Sequence, residues 1–159
     1  MAMKVSLFST GFSNWPIERT FAAAAANGYD GVDIGGFRPH GYAPDILDDV
    51  AGIRTRILAC VDKYQMPIVS YVPENTGSPH SFVFQDKALN EISVEYFKSP
   101  VDAAKAIGAP LTPRELGLSA REVHDTFLMT KDIRDKYVVS RLLWDLGVLD
   151  EVADRVFPV

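Results

Sequence analysis

A single cysteine stands among the 159 residues, which rules out a disulfide framework within one chain. Cys60 falls in a helical apolar pattern with Ile53, Ile57, Val61 and Tyr64, so it reads as a buried, inert thiol rather than a nucleophile. Histidine is scarce too, with three in the chain. Neither His80 nor His124 has a second ligand at metal-binding spacing, and His124, set in a charged helix, reads as a surface residue. No apolar run approaches the roughly 20 residues of a membrane span. Met1-Ala2-Met3-Lys4 runs straight into a strand without the apolar centre of a signal peptide. No membrane partner and a cytoplasmic location are the expectations. Lys and Arg number 16 against 21 Asp and Glu, for a net charge of -5, and no basic patch is present to hold a phosphate backbone, so nucleic acid is not an expected partner. The first strand-to-helix turn has no GxGxxG and Gly35-Gly36 lacks the rest of that fingerprint, which excludes a self-contained NAD site. The length also excludes a complete (β/α)8 barrel, which takes about 250 residues.

What is present is an ordinary globular balance. Apolar residues make up 47% and charged residues 23%, so disorder is not expected. The first strand reads Lys4-Val5-Ser6-Leu7-Phe8-Ser9, followed by a loop and a helix with Pro16 in its first turn, where a missing N–H costs nothing. That helix carries Ile17, Phe21 and an alanine run, and ends at Asn27-Gly28, a left-handed cap. A second unit pairs the strand 29–34 with a helix over residues 45–64, and a third pairs the strand 67–72 with a helix over residues 87–107. Between the third strand and its helix lies a long loop over residues 73–84. Strands alternating with helices of this length predict a parallel sheet. No fourth strand follows Gly108. Residues 111–117 read as a connector with a short turn, Ser119 and Glu122 as a capping box ahead of an amphipathic helix carrying Val123, Phe127, Ile133 and Tyr137. Helices over residues 139–146 and 149–156 complete the chain.

In parallel α/β folds the residues just past the strand C-termini form the site. Here they are 9–14, 33–40 and 71–75, which makes Asp33, Arg38, His40, Tyr71 and Glu74 the candidate substrate-binding residues. Asp33 sits in an otherwise apolar strand, where a buried carboxylate needs a donor; it is either structural or part of the rim. Arg38 has the fork to bind a phosphate or carboxylate and His40 has a nitrogen to offer a sugar hydroxyl, while the alternative is that Arg38-Pro39-His40 stiffens a surface loop. Glu74 is a candidate general base or hydroxyl acceptor, or else a solvated loop carboxylate. No residue is assigned as catalytic, and none as a metal ligand.

Residues 1–109 resemble the xylose-isomerase-like family of sugar and sugar-phosphate isomerases and epimerases, most closely its fructoselysine 3-epimerase-type members. The resemblance is carried by Gly28-Tyr29-Asp30-Gly31-Val32-Asp33-Ile34, Gly36-Phe37-Arg38-Pro39-His40 with Ala43-Pro44-Asp45, Tyr64-Gln65-Met66-Pro67-Ile68-Val69, and Tyr71-Val72-Pro73-Glu74-Asn75. It implies a TIM barrel whose later strands hold a divalent metal and a pair of proton-shuttling Glu residues, and nothing from Leu111 onward aligns with those ligands. The expectation is therefore no cofactor in the isolated chain, with Mn or Mg only where a partner completes the barrel. From a seam near Ala109-Pro110, the tail resembles the C-terminal helices of sn-glycerol-1-phosphate dehydrogenases. The carriers are Pro113-Arg114-Glu115-Leu116-Gly117-Leu118-Ser119, Tyr137-Val138-Val139 and Asp145-Leu146-Gly147-Val148-Leu149-Asp150-Glu151.

The expected architecture is α/β: an incomplete TIM-barrel-like (β/α)3 parallel sheet over residues 1–109, with strands in chain order, followed by a small all-helical segment over residues 110–159. Two functions compete. One is a sugar or sugar-phosphate isomerase/epimerase-related protein, inactive alone because the metal and acid/base half of the site lies elsewhere. The other is a non-catalytic chimeric or remnant module that binds a small sugar phosphate or self-associates. Leu7, Val32, Ile34 and Val69 include residues expected on the sheet face that a full barrel turns inward. A parallel sheet wants cover on both faces, so the tail or a second copy in a homo-oligomer is expected to supply it.

Overall fold

The computed structural model describes residues 3–74, 86–133 and 137–159. Asn75 and His80, both noted in the sequence, lie outside that set. The chain divides into two compact units, Met1–Leu111 and Thr112–Val159.

The first unit is α/β. Its three strands, β1 (Ser6–Phe8), β2 (Gly31–Gly36) and β3 (Ile68–Pro73), form a parallel sheet in chain order. Between β1 and β2 runs α1 (Ile17–Ala26), which buries Ile17, Thr20, Phe21 and Ala24, the i, i+3, i+4, i+7 stripe of a helix laid on a core. Pro16 takes the N-cap position of α1, and Gly28 adopts φ 71 just past its end. The single helix expected over residues 45–64 is two, α2 (Ala43–Asp48) and α3 (Val50–Tyr64). Asp49 breaks it: its backbone leaves the helical region (φ -136, ψ 63) and its side chain accepts from Gly52 N–H at 3.0 Å, starting α3 afresh. After β3 comes α4 (Lys87–Ile107), with Pro100 in its interior. That proline has no N–H for the Tyr96 carbonyl, and the Ser99 hydroxyl donates to the same oxygen at 2.8 Å.

The core of this unit joins α1, α3 and α4 to one face of the sheet, through Phe21, Val32, Ile34, Ile57, Ala103 and Ile107 among others. Leu7, Ile68 and Tyr71 pack against the same cluster. Of the four residues expected to include some on the inward face, Leu7, Val32 and Ile34 turn towards the helices and Val69 lies on the other side. A bulge sets the place of Val69. Val32 pairs with Ile68 but Asp33 pairs with Ser70, so Val69 is an extra residue, and its Cγ2 lies over Gly31, 2.4 Å from where a Cβ would stand there. The face away from the core thus carries Ser6, Phe8, Asp33, Val69, Ser70 and Val72.

The second unit is helical: a 3-10 turn at Pro113–Leu116, then α5 (Ala120–Met129), α6 (Val139–Asp145) and α7 (Leu149–Val156). The Ser119/Glu122 capping box is formed in both directions. The helix is shorter than its apolar pattern implied, for it ends at Met129 and passes into a 3-10 turn over Thr130–Asp132. The Thr130 hydroxyl donates to the Phe127 carbonyl at 2.6 Å, closing the last turn, and Ile133 and Tyr137 stand exposed beyond it. His124, read as a surface residue, is 8% exposed.

Gly36 meets the backbone of β3 closely enough to give a clear test of sheet packing. A Cβ there would stand 2.7 Å from Glu74 N, 2.8 Å from Pro73 Cα and 2.9 Å from Val72 O, all main-chain atoms that cannot swing aside. Gly36→Ala is expected to cost about 1–3 kcal/mol by forcing the strands apart, measured as a lower urea midpoint with an unchanged slope.

Candidate functional site

Asp33 lies in the middle of the central strand. The Ser6 hydroxyl, from β1, donates to its Oδ2, and the Ser70 hydroxyl, from β3, donates to Oδ1 at 2.7 Å. These are the donors that a carboxylate in an apolar strand requires, one from each neighbour. Each carboxylate oxygen keeps a lone pair beyond the serine it serves, and each serine keeps acceptor capacity. The sheet face away from the helices therefore presents three oxygen-bearing side chains in a row, a surface suited to hydroxyl groups.

The loop after β2 is built differently. Phe37 folds its ring over Gly35, where a Cβ would stand 2.3 Å from the ring edge, and meets Phe8 edge-on at 6.5 Å between centroids. The Ser9 hydroxyl, fully buried, accepts from Gly35 N–H at 2.8 Å. Arg38 grips Asp45 with two parallel hydrogen bonds of 2.7 and 2.6 Å and lies over the Tyr42 ring at 4.5 Å. Hydrogen bonding to Arg38 holds the Asp45 carboxyl below its usual range, and the same bonds raise the Arg38 guanidinium. The Arg38–Pro39 peptide is cis. His40 is 5% exposed; its Nε2 donates to the Trp15 carbonyl at 2.7 Å, and its buried Nδ1 has no hydrogen-bond partner among the described residues. Gly41 is wedged so tightly that a Cβ would approach Ile34 Cγ2 at 2.7 Å and the Gly35 carbonyl at 2.8 Å. Tyr71, on the core face of β3, donates its hydroxyl to the Gly41 carbonyl at 2.6 Å, and burial pushes its phenol well above the ordinary value.

The five residues singled out in the sequence do not converge. Arg38 and His40 share a cleft of about 250 Å³ with Ile17, Tyr42, Asp45 and Arg56. Tyr71 is a strut under the loop, and Asp33 belongs to the opposite face of the sheet. Glu74 follows β3 against Gly36, and its charge, after burial and Tyr42, helps to raise the Tyr96 phenol. Sequence reasoning passed over Ser6 and Ser70, and placed Ser9 and Phe37 within the rim segments 9–14 and 33–40 without giving either a role. The available signal was a serine in each strand flanking Asp33, with Ser70 its partner in register.

Among the described residues no three His, Cys, Asp or Glu side chains gather where a metal ion could sit. The divalent metal implied by the resemblance therefore finds no ligand set among them. No helix among the described residues is long and apolar enough to cross a membrane.

No protein-family model matches the chain. Two curated proteins do. The fructoselysine 3-epimerase of Shigella flexneri is 39% identical over 154 residues, covering 97% of this chain and 51% of its own length. The fructoselysine 3-epimerase of Escherichia coli O157:H7 matches at the same identity and coverage. The chain thus spans about half the length of the curated relatives it matches. With 154 of 159 residues aligned, the similarity runs through both units. The likeness of the tail to glycerol-1-phosphate dehydrogenases is not shown by these comparisons.

Burial separates the contributions of the two loop anchors. Tyr71→Phe leaves the carbonyl of buried Gly41 without its donor and is expected to cost about 1–2 kcal/mol. Arg38→Ala removes a pair whose side chains are 69% and 40% exposed, and its urea midpoint is expected to match that of the parent protein.

Proposed function

We propose that the chain is one part of a sugar 3-epimerase scaffold, supplying a wall of three parallel strands and the rim loops that follow them. The observation that carries this reading is the 39% identity with two fructoselysine 3-epimerases over nearly the whole chain. The arrangement of the sheet is in accord with it: one face is sealed by helices, and the other bears the Asp33–Ser6–Ser70 row that a barrel wall would turn towards its lumen.

Epimerisation at a carbon bearing a hydroxyl requires a proton to leave one face and return to the other, which takes acid/base groups on both sides of that carbon. In this reading Asp33 is a hydroxyl acceptor and not the base, since both its oxygens already serve serine donors on a single wall. Phe8 and Phe37, edge to face beside it, offer an apolar surface to the C–H side of a sugar. The proton-transfer pair and the metal ligands are supplied by polypeptide beyond these residues, and the substrate is fructoselysine or a related ketose. A non-catalytic sugar-binding or self-associating module is the second reading, favoured by the exposure of Phe8 and Val72 on that same face.

The chain alone, supplied with fructoselysine and Mn²⁺, is expected to show no exchange of the C3 proton by NMR. Co-expression with the C-terminal half of the Shigella flexneri relative is expected to restore chelator-sensitive exchange. Chelator-sensitive turnover by the chain alone would refute the need for complementation, and absence of both exchange and sugar binding in the co-expressed pair would refute the scaffold reading. In an active pair, Asp33→Ala is expected to raise KM roughly tenfold, the worth of one hydrogen bond to a charged group.

A further inference from the structure

We infer that His124 is a pH-sensitive clasp in the C-terminal unit, holding α5 to α7 when its imidazole is charged and loosening them when it is neutral. The geometry is specific. His124 Nε2 lies 3.0 Å from Asp154 Oδ1 on α7, and Nδ1 lies 3.2 Å from Asp125 Oδ1 on its own helix. A carboxylate only accepts, so both ring nitrogens must donate, and only the imidazolium has two N–H groups to give. A neutral ring has one. Its other nitrogen would turn a lone pair towards a carboxylate at hydrogen-bond distance, so one of the two contacts becomes repulsive.

The unit has little else to hold it. Among the described residues of Thr112–Val159 the buried ones are His124, Ser140, Leu149 and Ala153, of which Leu149 and Ala153 are apolar. Beyond the clasp, α5 and α7 meet where Phe127 and Phe157 approach at 5.2 Å. The ring is buried while the carboxylates of Asp125 and Asp154 are 50% and 72% exposed, so the clasp is anchored from the histidine's side.

Asp125 and Asp154 are the charged groups that act on the ring, with the hydrogen bond to Asp125 the larger influence and burial opposing both. Arg121, one turn earlier on α5, reaches Asp125 at 4.0 Å and competes for it. Among the described residues no other charge, including Asp150, Glu151 and Arg155 on α7, is among the influences on the ring. In the 3-10 turns packed on α5, Glu115 accepts from the Thr112 N–H, Lys131 pairs with Asp132, and Arg114 lines an apolar cleft beside Phe157. On α6, Arg141 reaches Asp132 and Asp145.

The sign follows from the partners. Two carboxylates raise the His124 value in the folded chain above the ordinary histidine value of about 6.5. The stabilisation is then complete below the unfolded-state value and is lost as pH rises through the folded one. The clasp therefore slackens on the alkaline side of an ordinary histidine titration.

The test uses the full chain. Imidazole resonances are followed by NMR against pH, with the His124 signal identified by its loss in His124→Gln. Trp144, in the same unit, reports urea unfolding by fluorescence in a Trp15→Phe background. The expected results are a His124 midpoint above that of free histidine, a downward shift in Asp154→Asn, and a Trp144 urea midpoint that falls across the same pH range in the parent but not in His124→Gln. A midpoint at or below that of free histidine would overturn the inference. So would an identical pH dependence of unfolding in the parent and His124→Gln. If His124→Gln does not fold, sequential assignment of the parent and the Asp154→Asn titration decide the matter by the same criterion.

Discussion

Each oxygen of the Asp33 carboxylate accepts one hydroxyl, from Ser6 on one neighbouring strand and Ser70 on the other. The central strand can therefore carry a charge in the middle of the sheet while Val32 and Ile34, on either side of it in sequence, are wholly buried against the helices. Remove the two serines and the half-buried carboxylate would have only solvent to donate to it. The alternation of β2 is thus a division of labour between neighbours: one side chain in two builds the core, and the other builds the polar face. The rim loops inherit their position from this strand, since Phe37 rests on Gly35 and Ser9 receives the Gly35 N–H.

The loop between β2 and α2 shows how differently polar contacts weigh. Its outer anchor, the Arg38–Asp45 fork, is open to solvent, where screening and side-chain entropy leave little net stabilisation. Its inner anchors, Tyr71 to the Gly41 carbonyl and His40 to the Trp15 carbonyl, satisfy groups that water does not reach freely. The candidate residues of the rim are therefore held chiefly from beneath. A loop supported in this way keeps its backbone in place while the exposed guanidinium remains free to exchange partners.

Much of the fold was legible because it rests on local chemistry. The stripe of Ile17, Phe21 and Ala24, the Ser119/Glu122 box and the glycine past α1 are signals contained within a few residues, and the structure has each of them. What escaped depends on contacts distant in sequence. The strand alternation was visible, but one extra residue at Val69 decides which side chains of β3 face the helices, and nothing in the local pattern marks a bulge. Asp49 ends one helix and starts another by capping with its own side chain, a choice that the apolar pattern on both sides conceals. His124 looks like a surface residue because its helix is charged, while its partner on another helix, Asp154, lies 30 positions away. Among the site residues, Asp33 was recognised as needing donors, but the serines that provide them sit 27 and 37 positions off.

The lone thiol gives the first unit a chemical clock. Cys60 is 4% exposed on the inner side of α3, and burial pushes its thiol above the ordinary value, so it resists alkylation for two reasons at once. A reagent can reach it only after α3 lifts from the cluster around Ile57 and Phe21. Since the sequence has no second cysteine, every labelling event counts one opening of that helix. The rate at which the protein takes up a maleimide therefore reads out the free energy of exposing its core under native conditions, without denaturant and without any engineered probe.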